Sequence, residues 1–163
     1  MANTQAMCTS FMQQLMVGEH QLGTATLTSR TSLTSPTTDT LKAALYLASA
    51  TMNASATVYT ATGEVSGTGY TAGGVTVTNA TAPTSTNSSA TAGVAFFTPS
   101  ASISYTTVTL STAFDAVLLY NSTQSNKAIS VHTFGSQTIT AGTFTLTMPA
   151  NTTAAALIRL ATT

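Results

Sequence analysis

The side chains of this sequence that could do chemistry are few enough to weigh one by one. Its acids are Glu19, Asp39, Glu64 and Asp115, its imidazoles His20 and His132, and its only thiol Cys8. Glu19 beside His20 is not the H-E-x-x-H of a zinc helix, and His132 has no acidic neighbour, so a metal centre would need distant loops to meet. Cys8 has no nearby cation to favour a thiolate, which argues against a nucleophile. Being alone, it also excludes an internal disulfide and a CxxC zinc pair. A serine, His132 and Asp115 could be drawn as a triad, but no G-x-S-x-G elbow is present and serines are abundant. Glycoside chemistry needs paired carboxylates, and nothing in the spacing brings two of the four acids together. The run GTGYTAGG at Gly67 to Gly74 has G-x-G-x-x-x-G spacing, no following helix pattern and no P-loop lysine, so its glycines read as turn residues. The expectation is a chain that is not an enzyme, with no catalytic, cofactor-binding or metal site and no cofactor.

What must hold these residues is a surface of unusual composition. Only 5% of the 163 residues are charged, against about 25% in ordinary soluble domains. Roughly a quarter of the chain is threonine, a β-former that suits pleated faces. Hydroxyls must therefore supply most of the surface polarity, and a free monomer would have little colloidal protection. The pattern implies a β-rich protein that lives against other proteins. Arg30, Lys42, Lys127 and Arg159 are scattered, whereas nucleic acid demands a clustered basic stripe. No run approaches the ~20 apolar residues of a membrane span. Neither nucleic acid nor membrane is expected as a partner. The first residues lack a basic n-region and an apolar core, so a cytoplasmic start is expected. Five sequons, at Asn53, Asn79, Asn87, Asn121 and Asn151, follow from the serine and threonine content alone.

Residues 1–23 carry the helix signal. Ser10 and Gln13 make an S-x-x-Q capping box, and Phe11, Leu15 and Met16 recur at helical spacing until Gly23, for about three turns. Phe11 and Leu15 form an apolar face for the body of the domain or for a neighbouring subunit. Residues 24–38, rich in Thr and Ser with Pro36, read as a linker or arm. The β domain spans 39–163. Leu41, Ala43, Leu45 and Leu47 alternate as a half-buried strand, and Val58 to Thr60, Val75 to Val77, Val94 to Phe97 and Ala156 to Leu160 are further candidates. Ala80 to Gly93 reads as a loop. Asp115 to Tyr120 lacks alternation and reads as a central strand buried on both faces. NSTQSN then turns the chain, and Lys127 to Phe134 returns. Asp115 and Lys127 flank this hairpin and could pair across it.

Two segments change phase. Ile103 and Tyr105 are odd while Val108 and Leu110 are even, which predicts a bulge or bend at Thr106 and Thr107. Ile139 is likewise out of phase with Phe144 and Leu146, with Gly142 between them. Strands bent this way often pass between the two sheets of a sandwich. About eight or nine short strands with polar turns thus argue for an all-β fold, a β-sandwich or jelly roll with an N-terminal amphipathic helix, and a barrel is the runner-up. Tyr70, inside the glycine loop, is the best candidate for an exposed contact.

Four segments resemble a family of small bacteriophage and prophage virion proteins. They are CTSFMQQLMVGEHQLG, DTLKAALYLASATMNASATVYTATGEVSGTGYTAGG, FDAVLLYNSTQSNKAISVHTFGSQTITAGTFTLTMP and AALIRL, in this order. The stretch TATLTSRTSLTSPTT departs from the family pattern, which passes more directly to D-x-x-K-A-A-L. The resemblance implies a structural virion component without catalytic residues. It suggests a capsid cement (decoration) protein on the head of a tailed phage, with the major capsid protein and further copies of itself, as dimer or trimer, for partners. It would be assembled in the host cytoplasm and located on the capsid surface. The alternative is a tail-associated module that binds a host receptor or glycan.

Overall fold

A computed structural model describes residues 2–24, 38–86, 93–99 and 102–162. These residues are mostly β, and among them are one short helix and two antiparallel sheets, neither of which closes into a barrel. In order the elements are β1 (Ala6–Met7), α1 (Thr9–Met16), β2 (Leu41–Leu47), β3 (Val75–Val77), β4 (Thr84–Ser85), β5 (Val94–Phe97), β6 (Ile103–Asn121), β7 (Lys127–Leu146) and β8 (Ile158–Ala161). One sheet has the order β1-β7-β6-β2-β3 and the other β4-β5-β8.

The apolar run at Asp115 to Tyr120 forms the inner half of β6, paired on one side with β7 and on the other with β2. Leu118 and its neighbours are buried on both faces, as their lack of alternation predicts. The β2 strand departs from its expected half-burial, since Ala44 and Tyr46 are as buried as Leu41, Ala43 and Leu45. Its central position explains this, because a strand covered on both faces gains from apolar side chains of either parity. Val58 makes only an isolated bridge to Lys127 instead of a strand. Ala80 to Gly93 is not wholly loop, for it contributes β4.

The long β6–β7 hairpin dominates the fold. Where separate strands were expected, one continuous ladder runs through both phase changes. Its register shifts between Tyr105 and Val108, where Thr107 adopts φ 55°. It shifts again between Val108 and Leu110, opposite Gly142, and the positive φ of 46° falls on the adjoining Ala141. Two more shifts flank Phe114. Each extra residue bends its strand and increases the local twist. The bending doubles the hairpin over: Ile103 and Val117, fourteen residues apart and about 46 Å along a straight strand, line the same cavity of about 290 Å³ with Leu119, His132 and Leu146. The bent strands therefore do not cross to the small sheet; they fold back over their own. Phe114, Phe134 and Phe144 fill the crease, with ring centroids 5.1–5.9 Å apart.

The N-terminal segment is stitched into this body. Ala6 and Met7 pair with Val131 and Ser130, and Phe11 is fully buried. The helix is shorter than its pattern suggests, and the expected capping box does not form. Cys8 is the N-cap without a side-chain bond, while Ser10 Oγ donates to the Ala56 carbonyl. Gly18, at φ 76°, ends the helix before Gly23 can, with the Gly18 and Glu19 amides returning to the Leu15 and Gln14 carbonyls. This is the Schellman arrangement. Of the arm expected over 24–38, all but Thr24 and Thr38 lies outside the described residues.

Candidate functional site

The densest polar constellation gathers around Glu64, and it contains all five tyrosines. A turn at Ala61 to Gly63 brings the glycine loop alongside the part of β2 that β3 does not cover, where Leu47 and Val65 exchange backbone bonds with Gly63 and Leu45. Glu64 Oε1 then accepts the Tyr70 hydroxyl at 2.7 Å and the Gly73 amide at 2.8 Å, while Oε2 accepts the Tyr59 hydroxyl at 2.6 Å. Tyr70 Oη also accepts the Leu45 amide at 3.0 Å. Tyr46, Tyr105 and Tyr120 donate to the carbonyls of Thr60, Ala43 and Gly73. The rings stack in two pairs, Tyr59 on Tyr120 and Tyr70 on Tyr105, at 4.9 and 5.9 Å.

The polar groups of this constellation are spent on one another and on the chain's own backbone. Burial, reinforced by the bond to Glu64, pushes the Tyr59 hydroxyl up to about 12 and Tyr70 higher still. Such phenols remain donors at any ordinary pH. Tyr70, expected as an exposed contact, is half-buried, with both sides of its hydroxyl occupied. Of the other two residues expected at an interface, Phe11 is fully buried inside the domain, its ring edge-on to His20, and Leu15 is half-buried. The exposed apolar side chains of α1 are instead Met12 and Met16.

A second constellation locks the N-terminal segment to the end of β6. Asp39, only 3% exposed, accepts the Gln21 amide, Asn121 Nδ2 and Gln124 Nε2. Because Asn121 Oδ1 accepts the Thr123 and Gln124 amides, its Nδ2 donates both to Asp39 and to His20 Nδ1. His20 is therefore neutral, with its Nε2 hydrogen donated to Gln14 Oε1. Burial lowers its pKa against the opposing pull of Asp39. Glu19 pairs with Lys127, which leaves the anticipated Asp115–Lys127 pair unmade, and Asp115 Oδ1 instead accepts Asn3 Nδ2 at 2.6 Å.

The residues that invited catalytic readings are scattered. His132 Nε2 lies 2.8 Å from Ser130 Oγ, but the cavity that His132 lines does not include Ser130, which is 3% exposed, and Asp115 is bonded elsewhere. Cys8 is fully buried, and burial pushes its thiol up to about 11. Among the described residues, no three His, Cys, Asp or Glu side chains converge as a metal site would require. Each of the four carboxylates has its own hydrogen-bond partners, with Asp39 and Glu19 both near His20. The tyrosine convergence is not legible in the sequence, where the only local sign is that Tyr59 and Tyr70 lie five and six residues from Glu64. No family model, curated protein or solved structure matches the chain.

Proposed function

We propose that this chain is a structural virion protein, a capsid cement (decoration) protein on a tailed-phage head, where it binds the major capsid protein at capsomer junctions. In this reading the hairpin, doubled back over its own sheet, forms the two layers of a β-sandwich, a relative of the jelly roll. The observation that carries it is where the charge goes. All four carboxylates are engaged within the chain, by Asn3, Asn121, the tyrosines and Lys127, and Asp39 is buried outright, so little free charge is left to a surface rich in hydroxyls. A surface with so little charge gains by being covered. The resemblance of four ordered segments to phage virion proteins supplies the identity of the cover. No catalysis is proposed, since the Ser130–His132 contact has Asp115 bonded elsewhere, to Asn3.

Many weak contacts around a symmetric shell add up through multiplicity. Purified protein added to empty heads should bind at a copy number matching shell symmetry and raise their resistance to heat. Binding off the shell symmetry, or heads equally heat-labile with and without the protein, would sink the cement role. Labelling confined to the tail, with selective binding on a glycan array, would replace it with a host-binding module.

A further inference from the structure

Among the described residues, the longest run of sheet edge without a partner lies along β7. The β2 edge is shared between β3 and the glycine loop, and β6 is met beyond β2 by Thr68, which bridges to Thr109. On the far side of β7, β1 pairs only with Ser130 and Val131. From His132 to Leu146 that edge has no strand partner among the described residues. Soluble proteins guard long edges with lysine, proline or inward charges. None of these occurs between His132 and Leu146, and β6 opposite is equally uncharged from Ile103 to Phe114. The irregularities between Thr133 and Gln137 and at Ala141 interrupt part of this edge, and the Ala141 amide is already taken by Thr109 Oγ1, whereas Thr143 to Leu146 continue as a regular strand.

We infer that this edge pairs antiparallel with the same edge of a second copy of the chain, making a continuous β6-β7-β7-β6 sheet across a twofold axis. The uncharged hairpin has nothing to offer a charged partner, and it meets no like-charge repulsion on meeting itself. Its exposed threonines, Thr138, Thr140, Thr143 and Thr145, repeat a chemistry already used within the hairpin, where Ser104 and Thr145 hydroxyls bond across strands at 3.1 Å. Threonine pairs of this kind stabilise antiparallel neighbours. A twofold contact is self-complementary and closes at two copies.

The inference deepens the assembly reading above but is tested without a shell. In sedimentation of the full chain the wild type should be dimeric at about 100 μM. Thr138 and Thr143 fall on one face of β7 once the bulge is counted, so two double variants, T138K/T143K and T138E/T143E, should each dimerise at least roughly tenfold more weakly. An equimolar mixture of the two should restore the dimer, with circular dichroism showing both folded. A monomeric wild type, or Lys and Glu variants that dimerise as well as it does, would overturn the inference. Should a variant misfold, hydrogen exchange on the wild type decides: amides of residues 143–146 should gain protection as protein concentration rises, and concentration-independent exchange counts against pairing. A dimer that ignores heads removes only the cement role, whereas a monomer that decorates them removes only the edge pairing.

Discussion

At Glu64 a single carboxylate joins three stretches of chain that would otherwise have no reason to stay together. Tyr59, Tyr70 and Gly73 each donate to it, and Tyr70 passes the connection on to the Leu45 amide in β2. Losing the acceptor strands several donors in a partly dry site, and each stranded donor costs about 1–3 kcal/mol where water cannot reach it. Glu64→Ala should therefore lower unfolding stability by about 2–4 kcal/mol in urea titration. Glu64→Gln keeps one oxygen for Tyr70 and Gly73 and turns an amide toward the Tyr59 oxygen, so it should cost less than about 1.5 kcal/mol. Equal losses from the two would mean that the cage is not held by acceptor geometry. The five tyrosines could not be placed from the sequence, because Tyr46, Tyr59, Tyr70, Tyr105 and Tyr120 meet only through long-range folding of the hairpin. Buried hydroxyls of that kind are chosen by tertiary neighbours, which local spacing does not record.

Among elements, the glycine loop and the bent hairpin explain one another. At Gly69, φ is 77° and a side chain would collide with the Thr107 carbonyl; at Gly74, φ is 70° and it would collide with the Ala43 carbonyl. The loop must lie flush against both β6 and β2, and only glycine allows that approach. Gly69→Ala should cost about 2–4 kcal/mol in urea unfolding, while Gly135→Ala, with open space around it, should stay within about 0.5 kcal/mol. A neutral Gly69→Ala would show that the loop does not rest on the strand. The two bends were readable in advance because a bulge shifts hydrophobic phase, and phase is written in the sequence at Tyr105/Val108 and Ile139/Phe144. What phase could not show was that one ladder would survive both bends. The helix was overestimated for a related reason: helical spacing persists to Gly23, but the backbone bonds of Gly18 and Glu19 end it first. Similarly, the Ser10–Gln13 pattern promised a cap whose hydroxyl found a better acceptor on Ala56.

For the molecule as a whole, pH acts through two histidines. Burial lowers the pKa of both His20 and His132 in the folded chain. An unfolded chain, with its imidazoles near 6.5, then binds protons more readily than the folded one, and stability falls as pH drops below that value. His20 faces Asp39, Glu19 and Lys127, of which the two acids oppose the effect and the lysine adds to it. Urea midpoints should be level from pH 8 to about 7 and decline toward pH 5. The decline should flatten when His20 and His132 are both replaced by Asn; an unchanged slope in that double variant would move the effect to other groups.

The pairing of Ala6 with Val131 also bears on synthesis. A ribosome must deliver most of the chain before the first strand finds its partner, and the doubled hairpin it joins is itself built from contacts distant in sequence. Folds dominated by such pairings form slowly, so the N-terminal segment waits while the hydroxyl-rich strands downstream are made. Once β7 has been made and paired with β6, its other edge beyond Val131 still carries no charge to deter a neighbour on the same messenger.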